Sequence, residues 1–178
     1  MSPSRFGLIG DVHAEHQRLE IAVDVLRRAG AEAVLCSGDI VDGRGDVCRC
    51  CALLQSAEVL TVRGNHDRWF LEDRMRDLPF ATQAGDVDAA GLEVLGALPS
   101  TRTITTDGGA LLLCHGLGDN DLARLRPDDE GYALSANQEL HAILEGDAPP
   151  AFVVAGHTHR QMLRQLGPAV FINAGTLV

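Results

Sequence analysis

Phe6-Gly7-Leu8-Ile9-Gly10-Asp11-Val12-His13 opens the stretch whose reading decides the fold, and Ala33-Val34-Leu35-Cys36-Ser37-Gly38-Asp39 closes it. Each segment is a short, nearly all-apolar run that gives way to glycine and aspartate. This is the pattern of a buried parallel strand with polar side chains at its carboxyl end. Between the two runs Leu19, Val23 and Leu26 recur at helical spacing, and Gly30 stands where such a helix would end. Strand, helix and strand make a βαβ unit. Working outward, Val59 to Val62 reads as a third strand, with helices expected over Val47 to Gln55 and over Arg68 to Asp77, the latter ending ahead of Pro79.

Farther along, a helix over Ala89 to Ala97 is expected to precede two strands, Thr101 to Thr106 and Ala110 to Cys114, joined by the hairpin signal Asp107-Gly108-Gly109. The pairing then changes from parallel to antiparallel. Ser135 with Gln138 has the form of a capping box before Leu140, Ile143 and Leu144, and strands follow at Phe152 to Val154 and Val170 to Ile172. A chain of 178 residues, 46% hydrophobic, with no membrane-length apolar run, repeat or linker, is expected to form one domain over 1–178. Met1-Ser2-Pro3-Ser4-Arg5 has no charged-then-apolar leader, which predicts a cytoplasmic protein with no membrane partner.

Composition removes several kinds of chemistry. All 15 Lys+Arg residues are arginine, which excludes amine nucleophiles and lysine-dependent phosphate loops. A net charge of -10 argues against duplex nucleic acid as a partner, although bound cations would reverse the field locally. The five cysteines, an odd count, point to free thiols in a reducing compartment. Cys48-Arg49-Cys50-Cys51 lacks the paired C-x-x-C repeats of a zinc site and reads as helix, while Cys36 and Cys114 lie in apolar runs as small core residues.

Five motifs follow one another along the chain: Gly10-Asp11-Val12-His13, Gly38-Asp39, Gly64-Asn65-His66-Asp67, Cys114-His115-Gly116 and Gly156-His157-Thr158-His159. Side chains at the carboxyl ends of strands in an α/β sheet converge on one crevice. Residues two apart in extended backbone share a face, so Asp11 with His13, and His157 with His159, can each aim at one point. Two aspartates, four histidines and one asparagine suit a pair of divalent transition metal ions, Mn²⁺ first, with Fe, Zn²⁺, Ni²⁺ or Co²⁺ as the others. A carboxylate bridging two cations about 3.5 to 4 Å apart lets their joint field generate hydroxide near neutral pH, the expected nucleophile.

On these motifs the sequence resembles the calcineurin-like metallophosphoesterases, and most closely the small bacterial and archaeal phosphodiesterases of that superfamily, from Gly10 to about Thr176. The resemblance implies an α/β (α+β) four-layer fold in which two mixed sheets pack as a sandwich flanked by helices. It also implies one metal on Asp11, His13, Asp39 and His159 and a second on Asp39, Asn65, His115 and His157, with Asp39 bridging. The substrate would be a small phosphate ester. Two cations do not protonate a departing alkoxide, and His66, the family's catalytic histidine, is the expected acid, with Asp67 expected to orient it. Arg160 is a candidate for a substrate phosphate, the alternative being a solvated charge, and Arg124, Arg126 and Arg164 rank below it. Gly118 to Gly131, rich in Asp and Arg, is a candidate rim. His16 and His141 fall outside the motifs and stay off the site.

Three features separate this chain from relatives. Serine/threonine phosphatases and diadenosine tetraphosphate hydrolases share the motif core, but usually carry Glu where Asp67 stands and Arg where Gly43 stands. Asn173-Ala174-Gly175-Thr176 replaces the family's closing Asn-Pro-Gly-Ser. The chain also stops at Val178, where relatives continue into further strands, so either the second sheet is trimmed or a partner, for example a second copy, covers its edge. A scaffold on the same fold is the rival outside enzymes. It predicts eroded ligands, whereas every ligand position and His66 are filled here.

Overall fold

A computed structural model describes residues 3–178. The chain opens with three βα steps: β1 (Phe6–Ile9), α1 (His16–Arg28), β2 (Ala33–Cys36), α2 (Val47–Ser56), β3 (Leu60–Thr61) and α3 (Asn65–Leu71). After a single 3-10 turn come α4 (Ala89–Ala97), β4 (Thr101–Thr106), β5 (Gly109–Cys114), α5 (Tyr132–Ser135), α6 (Gln138–Leu144), β6 (Phe152–Ala155), β7 (Met162–Leu166) and β8 (Ala169–Asn173). No helix among the described residues is long and apolar enough to cross a membrane.

The strands form two sheets. The smaller is parallel throughout in the order β1-β2-β3, and the larger is mixed in the order β4-β5-β6-β8-β7. The period-2 alternation of a strand sends neighbours to opposite faces and so builds the layers. In β2, Val34 and Cys36 pack against Leu19 and Val23 of α1 and Cys50 and Leu54 of α2, while Leu35 points the other way. There it meets Leu111, Leu113 and Val154 of the larger sheet. That sheet's far face, with Cys114, Val153 and Phe171, is covered by Leu140 of α6 and by Leu125. The result is four layers: helices, sheet, sheet, helix.

Local signals account for most boundaries. Arg27 and Arg28 close α1 where its dipole favours cations, and Gly30 follows with φ +86, the left-handed turn that glycine tolerates best. Asp46 caps α2 by accepting the Arg49 N–H at 3.0 Å. The three clustered cysteines sit on α2, with Cys50 and Cys51 buried in the core.

Four boundaries differ from the sequence reading. The third helix starts at Asn65 and ends at Leu71, not over Arg68 to Asp77, because the chain turns out through left-handed Asp73 and Met75 and brings Arg76 back to Asp42. The cap of α6 is Asn137, whose side chain accepts the Leu140 N–H at 3.0 Å, whereas Ser135 ends α5 and donates to Tyr132 O. The third strand is only Leu60–Thr61. Strand β7 is an addition, hydrogen-bonded antiparallel to β8. Near the end of the given sequence, Thr176 bridges Asp11 in parallel, with Asp11 N–H donating to Gly175 O and Leu177 N–H to Asp11 O.

Candidate metal centre

Every motif lies just past a strand, and the two sheets deliver their ends to one place. The smaller sheet supplies Asp11 and His13 after β1, Asp39 after β2, and Asn65 with His66 after β3. The larger supplies His115 after β5, and His157 and His159 after β6. Convergence does not come from extended backbone as the sequence suggested. His13, Asp39, His157 and His159 have φ of +47, +49, +64 and +56. Side chains other than glycine rarely adopt that region, at a cost of about 1–2 kcal/mol each, and such strain gathers where function requires it.

Asp11, His13, Asp39 and His159 each bring one ligand atom to within 4.8 Å of the others. His13 directs Nδ1 at the carbonyls of Val41 (3.2 Å) and Asp42 (3.0 Å), so Nδ1 carries the hydrogen and Nε2 presents its lone pair. That lone pair faces His159 Nε2 at 3.1 Å, and His159 Nε2 lies 3.0 Å from Asp11 Oδ2. Asp11 is fully buried; its Oδ1 accepts from Ser37 Oγ and the His157 N–H, both at 3.2 Å, but its Oδ2 has no hydrogen-bond partner. A buried carboxylate oxygen without a donor is costly. Lone pairs converging on it are what a cation would satisfy, and the mixed N/O donor set suits a divalent transition ion.

The second group shares this logic. His115 donates from Nδ1 to Ser37 O at 2.8 Å, which turns Nε2 toward Asn65 Oδ1 (2.9 Å) and Asp39 Oδ2 (3.3 Å). His157 Nδ1 lies 2.9 Å from the same Asn65 oxygen. Asp39 stands between the groups, its Oδ2 also 3.9 Å from His13 Nε2 and its Oδ1 accepting the His66 N–H at 2.9 Å. The electrostatics show the demand for positive charge. Burial opposes ionisation of both His115 and Asp39, yet their attraction wins, pushing His115 up to about 10 and holding Asp39 well below the usual carboxylate range. Burial holds His13 below its ordinary value and His157 down at about 4, leaving both rings neutral as ligands must be.

His66 sits beside the first group, its ring centroid 5.0 Å from that of His13 and 4.9 Å from that of Trp69. The carboxylate that orients it is Asp42, which meets His66 Nδ1 at 2.7 Å. This corrects the expected role of Asp67. The Asp67 carboxylate is buried and accepts backbone N–H groups of Ile40 (2.7 Å), Val41 (3.2 Å) and Gly64 (2.9 Å), which ties the loop after β2 to the start of α3. Asp42 in turn is gripped by Arg76 at 2.9 and 3.0 Å and by the Thr82 N–H at 2.8 Å. Burial disfavours a charged His66, but its bond to Asp42 and the charge of Asp39 raise its pKa above the ordinary histidine value.

The arginines also sort differently. Arg160 is exposed and pairs with Asp128 at 2.7 Å. Arg124 instead donates from Nε to His157 Nε2 at 3.3 Å, and Arg124 and Arg126 line a cavity of about 350 Å³ with His157, Thr158 and His159. Asp42 was legible as the residue three beyond Asp39, but nothing in the sequence says which of two nearby carboxylates a histidine will find. His16 and His141 stay outside the site, as expected. His16 Nδ1 accepts the Asp46 N–H and His141 pairs with Glu145.

Comparison with known proteins identifies the family and the fold. The family model described as "Calcineurin-like phosphoesterase superfamily domain" matches residues 5–178. Among curated proteins, Uncharacterized protein MJ0912 of Methanocaldococcus jannaschii is 30% identical over 67 residues, which is 38% of this chain and only 28% of that protein's length. Among solved structures, a metallophosphoesterase from Sphaerobacter thermophilus superimposes with TM-score 0.67 at 22% identity, covering 97% of this chain and 76% of the other. Hypothetical protein PH1004 from Pyrococcus horikoshii superimposes with TM-score 0.74 at 14% identity, covering 96% and 75%. At these identities the superpositions establish a shared fold.

Proposed function

This chain belongs to the calcineurin-like phosphoesterase superfamily, and on that premise we propose that it hydrolyses small phosphodiesters at a two-metal centre, with His66 as proton donor to the leaving group. The observation that carries the reading is Asp39. Its carboxylate lies between His13 and the buried Asp11 oxygen on one side and His115 and Asn65 on the other. In this reading Asp11, His13, Asp39 and His159 hold one ion, and Asp39, Asn65, His115 and His157 hold the other, with Mn²⁺ as first choice. Divalent ions there supply Lewis acidity that activates water near neutral pH and neutralises charge on the phosphoryl oxygens.

The chain's own groups do the rest. Asp42 accepts the His66 Nδ1 hydrogen and favours the protonated ring, leaving the Nε2 hydrogen for the departing oxygen. Arg76 and Thr82 fix Asp42 so that it does not leave the ring. Asp67 works at one remove, holding the backbone that presents Asn65 and His66.

The test pairs chromogenic phosphate mono- and diesters with metal-stripped protein titrated with Mn²⁺. Diester turnover that rises with Mn²⁺ is expected. His66→Gln should keep both metals and lose about 10²–10⁴-fold on esters with poor leaving groups, while esters with good leaving groups lose much less. Equal losses on both classes with metals retained would remove His66 as the proton donor. No turnover with Mn²⁺, Ni²⁺ or Zn²⁺ would sink the hydrolase reading.

A further inference from the structure

Several guanidinium groups of this acidic chain meet carboxylates, among them Arg28 with Asp24, Arg68 with Asp121, Arg76 with Asp42 and Arg160 with Asp128. Arg124 and Arg126 make no ion pair among the described residues, although Asp121, Asp128 and Asp129 lie close by in sequence. They flank Leu125, which is 4% exposed and anchored in the core beside Leu140 and Phe171, and both arginines are exposed on either side of it. The backbone that carries them is pinned. Asn137 donates to Arg124 O at 2.9 Å, and Arg164 donates to Arg126 O and Asp129 O, both at 2.9 Å. A fixed loop thus presents two carboxylate-free guanidiniums to the cavity that His157 and His159 line.

We infer that Arg124 and Arg126 form an anion subsite for a second phosphate group, so that the substrate carries a further phosphate beyond the one cleaved. The inference deepens, and rests on, the phosphoesterase reading. The planar fork of arginine matches phosphate oxygens, and two such forks exceed what a singly charged diester needs. The contact made by Arg124 places it at the centre itself, since it donates from Nε to His157 Nε2 at 3.3 Å.

The experiment is calorimetric titration of the Mn²⁺-loaded protein with propylphosphonate and with propane-1,3-bisphosphonate, neither of which is hydrolysed. The bisphosphonate should bind at least about 10-fold more tightly, as one added charge-assisted contact would give. Arg126→Gln and Arg124→Gln should each shrink that advantage severalfold. Equal affinity for the two ligands, or an advantage that both variants leave intact, overturns the subsite. Ester turnover is measured separately: turnover without the bisphosphonate preference sinks the subsite alone, and an arginine-dependent preference without turnover keeps the subsite and sinks the hydrolase.

Discussion

At the scale of single residues, Asp42 carries more than its place outside the ligand set suggests. Its side chain is 3% exposed and meets both His66 Nδ1 and the Arg76 guanidinium, itself 13% exposed. Asp42→Asn leaves a donor facing Arg76 and removes a charge that favours the protonated His66 ring. Turnover should fall about 10- to 100-fold, as when a carboxylate supporting an active-site histidine is lost. Breaking a buried pair costs about 3–5 kcal/mol, and partial exposure of Arg76 reduces the expectation to about 2–3. The acid dependence has a definite sign. Burial alone would raise the Asp42 pKa, but bonds from His66, Arg76 and Thr82 lower it. Its contribution is then complete above the unfolded value of about 3.9 and disappears as pH falls through the lower folded value. Urea midpoints should separate wild type from Asp42→Asn at pH 5 and converge toward pH 3; a gap that stays constant refutes the assignment. Asp42 and Asp67 also mark where the sequence stops being legible at this scale. Ligand types and order could be read from the motifs, but the choice between two carboxylates that fold to within reach of one loop is made by tertiary packing.

At the scale of elements, the glycines in the motifs set how closely the strand ends approach. Gly64 caps α3, and a Cβ there would run into the Asp39 carboxylate and lie 2.5 Å from the Asp39 backbone nitrogen. Gly64→Ala must displace the carboxylate shared by the two ligand groups, so it should cost about 2–3 kcal/mol and lower the metal content of purified protein. Gly96 on α4 is the contrast, because a Cβ there meets nothing within 4 Å. Gly96→Ala should leave metal content unchanged and stabilise by up to about 1 kcal/mol through helix propensity. Thermal melts with elemental analysis check both, and a fully loaded Gly64→Ala would show that the approach is slack. The strands and helices of the first βαβ unit, α4 and the β4–β5 hairpin were legible because apolar period and turn residues agree there. β7 was not, since Met162-Leu163-Arg164-Gln165-Leu166 gains its strand character only by pairing with β8 across Gly167. The early end of α3 was equally hidden, because it follows from Arg76 reaching Asp42 rather than from any local breaker.

At the scale of the whole molecule, the candidate centre joins two sheets that otherwise meet through apolar side chains such as Leu35, Leu113 and Val154. Asp11, His13, Asp39 and Asn65 arrive from the parallel sheet and His115, His157 and His159 from the mixed one, so a bound ion is a cross-link between layers. The segment ending in Leu177 tightens the same corner by pairing with Asp11 on both its N–H and C=O. Without metal this corner keeps a buried carboxylate oxygen without a donor and four ligand residues in left-handed backbone, all unfavourable. Binding that favours only the folded state adds about 2.7 kcal/mol when free metal is 100 times its dissociation constant. For a domain of this size that corresponds to roughly 5–10 °C in melting temperature. Chelation should therefore lower the melting temperature by that amount, and amide exchange should quicken at the strand ends of both sheets together. Quickening confined to one sheet, or a melting temperature indifferent to chelator and to added Mn²⁺, would mean that the apolar interface alone holds the layers and that the convergent ligands lend the fold nothing.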